Sequence, residues 1–293
     1  MDRRDLSPTR STGPPVNSDP TDLAFRNNGI ELYGRLRSVD LARPTVVLLC
    51  GIGFHTFEYE PLATELATRG VNTLSFDYRG HGRSTGVRGR WTLDDLADDT
   101  LAAISYARQH GLDRVHLVGN SLGGMIAILA GERDPHIESV VASNAPAHVA
   151  DFLLTRPRRL LYRIALPLSR IVPMRISVNH FYAYEQLTDN PDWAGRIRRD
   201  ATITRARRLS MLTYRELLDT WDGPDAIHRL HRPVLLIQGN HDRFQPPAQT
   251  DQLYTAANEP KAHRAIEAGH LPHLDATSEF ADLVTGWLER ITS

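Results

Sequence analysis

A chain of 293 residues is long enough for one large α/β domain or two small ones, and its 41% hydrophobic content suits a globular core. A formal net charge of −1 gives no sign of a nucleic-acid partner, although Lys261 is the lone lysine among 34 basic residues. Cys50 is the single cysteine, so no intrachain disulfide can form and a reducing compartment is expected.

The segment from Met1 to Asp22 is polar, with prolines at 8, 14, 15 and 20, and reads as a disordered tail. It lacks the apolar stretch of a signal peptide, and no run approaches the roughly 18 apolar residues of a membrane span. A cytoplasmic protein without an integral membrane segment is expected. A hairpin follows at Leu23–Arg37, turning at Asn27-Asn28-Gly29. Thr45–Cys50 is continuously apolar, as a strand covered on both faces should be. A helix carries Tyr59, Leu62, Ala63, Leu66 and Ala67 on one face and stops at Gly70. Val71–Phe76 is the fourth strand, Thr92–His110 a helix, and Val115–Val118 the fifth strand, which leads into a helix over Leu122–Gly131. Ile137–Ala142 is the sixth strand.

The rhythm then breaks. From Ala147 to Arg232 strand-like runs are few and arginines stand among leucines, which predicts a helical insertion. Alternation resumes with the strand Pro233–Gln238, a helix from Ala248, a strand at Ala262–Ile266 and a last amphipathic helix bearing Phe280, Leu283, Val284, Trp287, Leu288 and Ile291. The expected architecture is α/β, a mostly parallel central sheet flanked by helices. Its core is residues 23–146 and 233–293, and its helical cap is 147–232.

The sequence Gly119-Asn120-Ser121-Leu122-Gly123 lies between the fifth strand and its helix. Glycines two positions either side of a serine permit a sharp turn that holds the hydroxyl out at the C-terminal edge of the sheet. The same turn aims the Leu122 amide, at a helix N-terminus, toward that space. A plain helix start with Ser121 as N-cap uses the same residues, so the decision rests on partners. A hydroxyl is a poor nucleophile without a base. Asp242 follows the strand ending at Gln238, and His270 lies in a loop after the strand ending at Ile266, so all three groups sit at C-terminal strand ends.

With VVLLCGIG (46–53), SFDYRGHGRSTG (75–86), LVGNSLGG (117–124), LLIQGNHDRFQPP (235–247) and AGHLPHLDATSEF (268–280), the chain resembles an α/β-hydrolase from about residue 23 onward. The branch is that of monoacylglycerol lipases, lysophospholipases and serine aminopeptidase-like hydrolases. The resemblance implies Ser121 as nucleophile, His270 as base and then acid, and Asp242 as the orienting carboxylate. It also implies an oxyanion hole from the Ile52 and Leu122 amides, a cap after the sixth strand that roofs the site, and no cofactor or metal. The activity it implies is cleavage of a carboxylic ester with a hydrophobic acyl or aryl part, through an acyl-enzyme. Cys50 stands where many relatives carry histidine before Gly51, which bears on how the oxyanion loop is held. Asn120 is uncommon in lipases of this kind, and G-N-S-x-G-G also occurs in relatives that cleave carbon–carbon bonds. C–C hydrolase, thioesterase and acyltransferase therefore stay open, as does a ligand receptor or scaffold on the same fold.

Other assignments are weaker. Gly51-Ile52-Gly53-Phe54-His55-Thr56 lacks the third glycine of a dinucleotide fingerprint, and no P-loop lysine follows the serine turn. The pairs His228/His231 and His270/His273 do not form a zinc motif. His273 competes with His270 for the base, but Gly269-His270 fits the loop position better. Asp77 reads as a brace for the loop Arg79–Ser84, His55 as a solvent-exposed loop residue, and Cys50 as a small buried hydrophobe. The cap leucines and isoleucines around 152–172 read mainly as glue to the core, with some offering surface for an acyl or ring group. Arg156, Arg158, Arg159, Arg163, Arg196, Arg198, Arg199, Arg205, Arg207 and Arg208 make the cap basic. An amphipathic or anionic substrate, or an anionic lipid surface, would suit them.

Overall fold

The computed structural model describes residues 19–169 and 171–292; most of the expected tail, residues 1–18, lies outside them. The first strand already begins at Thr21, so Thr21 and Asp22 belong to the sheet and not to the tail. The strands are β1 (Thr21–Asn27), β2 (Ile30–Arg37), β3 (Thr45–Leu49), β4 (Asn72–Phe76), β5 (Val115–Asn120) and β6 (Ser139–Ser143), then β7 (Arg175–Ser177) and β8 (Arg208–Ser210), and finally β9 (Val234–Gly239) and β10 (Lys261–Ile266). Among the described residues the main sheet has eight strands in the order β1-β2-β4-β3-β5-β6-β9-β10. Pairings β1–β2 and β2–β4 are antiparallel, and every other pairing in this sheet is parallel.

The sequence explains the strand positions. All residues of β3, β4, β5, β6 and β9 are buried, as strands covered on both faces must be, including the polar Asn72, Thr73, Ser75, His116 and Ser139. The β1–β2 hairpin turns through Asn28 and Gly29, both at positive φ, the combination a two-residue hairpin loop needs.

The helices before the insertion are α1 (Glu60–Thr68), α2 (Leu93–Gln109) and α3 (Leu122–Arg133). Thr92 and Asp95 form a capping box that starts α2. Those of the insertion are α4 (Val149–Leu153), α5 (Arg156–Leu168), α6 (Pro191–Arg199), α7 (Ala201–Ala206), α8 (Met211–Arg215) and α9 (Gly223–Arg229). The chain closes with α10 (Ala248–Ala256), α11 (Pro272–Asp275) and α12 (Thr277–Thr292). Helix α1 packs on α12, while α2, α3, α9 and α10 pack in succession, giving the sheet its two helical layers. The buried faces of α1 and α12 are Leu62, Ala63 and Leu66 against Phe280, Val284, Trp287 and Leu288, the stripes the periodicity predicts.

The insertion after β6 is helical, with one element the sequence pattern misses: β7 and β8 pair antiparallel as a small ribbon inside it. It is seated on the core by Ser210 N–H donating to the Gly89 carbonyl (2.7 Å) and Trp221 Nε1 donating to the Pro146 carbonyl (2.8 Å). Leu160, Leu161, Ile164, Leu168, Ile171 and Val172 are exposed, so they do not glue the cap to the core. Among the described residues no helix is long and apolar enough to cross a membrane.

Candidate active site

Ser121 ends the β5 strand–turn–α3 helix crossing at φ 55 and ψ −117, a backbone conformation that costs a non-glycine residue about 1–3 kcal/mol. Its neighbours explain why the chain keeps glycine on both sides. A Cβ at Gly119 would collide with the Gly123 carbonyl, and one at Gly123 with the Leu49 carbonyl of β3. The turn is pinned by Ser121 N–H donating to the Ser143 carbonyl of β6 (2.9 Å). Ser121 does not cap α3 with its side chain, so its hydroxyl is not spent as an N-cap.

Asp242 and His270 are brought together. His270 Nδ1 donates to Asp242 Oδ2 at 2.7 Å, and both side chains are almost wholly buried. The other carboxylate oxygen, Oδ1, accepts the Phe244 and Gln245 amides, both at 2.8 Å, so the Asp242 side chain has one orientation. With Nδ1 committed to the carboxylate, Nε2 is the ring nitrogen left for other chemistry. Phe244 meets the His270 ring edge-on at 4.8 Å. Ser121, His270, Ile52 and Leu122 line one pocket, with Asp242 behind the histidine. The remaining wall is largely apolar: Phe54, Met125, Val149, Phe152, Leu153, Val178, Leu217 and Leu271.

Two asparagines hold the histidine loop. Asn120 Nδ2 donates to the His270 carbonyl (3.0 Å) and to the Ser143 carbonyl (3.3 Å). Asn144, at φ 42 just past β6, donates to the carbonyls of Gly269 (3.2 Å) and His270 (3.1 Å) and accepts the Gly239 amide (2.9 Å). Asn120 is thus a structural tie between the serine turn and the histidine loop. Asn144 has no sequence signature; only its place just after the sixth strand marks it. Asp275 adds a third tie, accepting the Gly269 amide at 3.0 Å.

The loop carrying Ile52 is supported by carboxylates. Asp77 is fully buried, and its two oxygens accept the Thr56 and Arg83 amides, each at 2.7 Å, which is the bracing role its position predicts. Burial drives the Asp77 carboxyl upward, with the two amides opposing the shift. His55 is not the solvent-exposed residue expected. Its Nε2 donates to Asp200 Oδ2 at 2.9 Å, joining the loop to the residue that also caps α7. Burial alone would raise the Asp200 carboxyl, but hydrogen bonds from His55 and the Ile203 and Thr202 amides bring it below its ordinary value. Cys50 is buried beside Phe76, and desolvation raises its thiol well above the usual range, so it is an inert packing group. His273 is not beside the serine: it is wholly buried, donating from Nε2 to Glu58 Oε1 (2.8 Å) and stacked on Tyr59. Among the described residues no group of three or more His, Cys, Asp or Glu is gathered as a metal site.

The family profile described as serine aminopeptidase, S33 matches residues 40–275. The chain belongs to this family. It is a hydrolase of the α/β-hydrolase class, near the branch of monoacylglycerol lipases and esterases. A monoacylglycerol lipase of Mycolicibacterium smegmatis is 26% identical to this S33-family chain over 253 residues, covering 84% of it and 88% of the relative. A proline iminopeptidase of Lacticaseibacillus rhamnosus is 24% identical over 279 residues, covering 87% and 94%. Among solved structures, Paleococcus ferrophilus monoacylglycerol lipase superposes with a TM-score of 0.73 at 26% identity, covering 89% of this chain and 99% of that one. A soluble variant of the monoglyceride lipase of Saccharomyces cerevisiae gives a TM-score of 0.77 at 18% identity, covering 95% and 98%, which speaks for the fold alone.

Proposed function

We propose that this S33-family protein is a serine hydrolase that cleaves a carboxylic ester with a hydrophobic acyl or aryl part. The observation that carries the reading is the buried His270–Asp242 pair opening onto the same apolar pocket as Ser121, held at positive φ. In the proposed reaction His270 Nε2 takes the Ser121 proton as Oγ adds to the ester carbonyl, and Asp242 stabilises the imidazolium. The amides of Ile52 and Leu122 receive the oxyanion; loss of one such donor costs about 100- to 1000-fold in rate. The proton passes from His270 to the leaving alcohol, leaving an ester on Ser121. Water, deprotonated by His270, then adds to that ester and releases the acid, and the proton returns to Ser121.

Pocket electrostatics favour an ester over an amino-terminal peptide. An aminopeptidase must hold an ammonium group, for which a carboxylate is the natural partner. Among the described residues no Asp or Glu lines the pocket, and Arg207, which does, would repel a cation.

Labelling of the wild type and Ser121→Ala with a fluorophosphonate, read by intact mass, tests the nucleophile. A single adduct on the wild type and none on the variant is the expected result, with a 4-nitrophenyl ester chain-length series then mapping the pocket. Unlabelled, folded wild type would remove the proposal.

A further inference from the structure

Arg207 is an anomaly in the cap. It follows α7, lines the Ser121–His270 pocket, and is 1% exposed. Its Nη2 donates to the Tyr182 hydroxyl, while Nε and Nη1 have no hydrogen-bond partner among the described residues. Among the described residues no carboxylate pairs with it, although arginines elsewhere in the chain find theirs, such as Arg79 with Asp99 and Arg229 with Glu132. Its guanidinium carbon lies 5.2–5.3 Å from the ring centres of Phe54, Tyr182 and Tyr184, contacts that offset only part of the desolvation of a buried cation. Arginine cannot shed its proton to escape that cost.

The position is built around this side chain. A Cβ on Gly53, next to Ile52, would overlap the Arg207 stem. From the guanidinium, a line of rings leads to the histidine: Tyr182 lies 4.2 Å from Phe244, and Phe244 lies 4.8 Å from His270. The cation therefore stands in the wall of the same pocket and is linked to the His270 ring through the Tyr182 and Phe244 rings.

We infer that Arg207 is a substrate-recognition residue that pairs with a carboxylate carried by the ester, some bonds away from the scissile carbonyl. A bound carboxylate supplies the acceptors that Nε and Nη1 lack and the counter-charge the pocket lacks. One guanidinium matches one carboxylate; a phosphate dianion would leave excess charge in a wall that has, among the described residues, no second arginine or lysine. The substrate class is a half-ester of a dicarboxylic acid, or an ester whose hydrophobic part ends in a carboxylate. This inference rests on the reading of the pocket as an ester-cleaving site.

The test compares mono(4-nitrophenyl) adipate with its neutral methyl ester of the same chain. The wild type is expected to favour the acid about 10- to 100-fold in kcat/KM, the range of a hydrogen bond to a charged group. Arg207→Gln should lose that preference, and Arg207→Lys should keep part of it. A merely structural role would lower both substrates together and leave their ratio unchanged. A binding arm uses Ser121→Ala, with monomethyl adipate against dimethyl adipate by calorimetry. There the acid should bind at least about tenfold tighter, and the difference should vanish when Arg207→Gln is added. If Arg207→Gln does not fold, equal handling of acid and neutral ester by the wild type overturns the inference on its own. Failed serine labelling with intact carboxylate preference in the binding arm would sink the hydrolase reading and leave the Arg207 subsite standing. Successful labelling with no preference would do the reverse.

Discussion

At the level of single residues, Ser121 stores strain that its own replacement can reveal. Its φ of 55 and ψ of −117 suit glycine and penalise any side chain. Ser121→Gly should therefore be more stable than Ser121→Ala by about 1–2 kcal/mol in urea denaturation, though neither should turn over an ester. Equal stabilities would mean that the turn is relaxed. Asn144 is a second point of leverage, since its amide bonds three buried backbone groups, the Gly239 amide and the Gly269 and His270 carbonyls, the last of them shared with Asn120. Asn144→Ala should cost about 1–3 kcal/mol and slow fluorophosphonate labelling of Ser121 as the His270 loop loosens. Unchanged stability and labelling would show that water replaces it. Ser121, Asp242 and His270 were legible because each stands at a strand end beside a glycine-bearing turn. Asn144 and Arg207 were not singled out: the first acts on backbone atoms far along the chain, and the second is one arginine among many.

At the level of elements, legibility follows burial. Strands β3 to β6 and β9 are buried throughout because both faces are covered, and β3 and most of β9 read as apolar runs, while α1 and α12 show clean stripes because only one face is covered. The cap gave fewer signals. Helix α5 fully buries only Ala165, half-buries Tyr162 and Leu166, and leaves Leu160, Leu161, Ile164 and Leu168 in solvent, so most of its leucines and isoleucines do not report packing. Ribbon β7–β8 is too short for a period to emerge. The contrast is measurable: Leu161→Ser on α5 should change stability by less than about 0.5 kcal/mol, as other exposed sites do. A loss of several kcal/mol would show that α5 is docked. Close packing at the turn predicts the opposite extreme. Gly123→Ala places a Cβ against the Leu49 carbonyl and should unfold or severely destabilise the protein, whereas nothing stands within 4 Å of a Cβ on Gly286 of α12. Gly286→Ala should add about 0.5–1 kcal/mol, read as a rise in Tm.

At the level of the whole molecule, core and cap share a buried histidine neighbourhood that ties stability to pH. His81 is fully buried and its ring lies 6.0 Å from that of Trp91, whose backbone N–H donates to Thr213 of the cap (3.1 Å). Its Nδ1 lies 3.0 Å from the Arg79 carbonyl and its Nε2 has no partner among the described residues. Burial pushes the imidazole down to about 4, against an ordinary value of 6.5. In the unfolded chain this histidine takes up a proton as pH falls through 6.5, while in the folded protein it stays neutral until about 4. The unfolded state binds more protons across that window, so the stability His81 provides is whole above 6.5 and drains away down to about 4. The full loss is on the order of 3 kcal/mol. His81→Gln removes the titration, and groups common to both proteins cancel in the difference. The stability gap between wild type and His81→Gln, from urea denaturation at intervals between pH 7 and 4, should therefore shift steadily against the wild type as acid is added. Parallel curves would mean that water or a carboxylate reaches the ring, and that the seam between core and cap opens in solution.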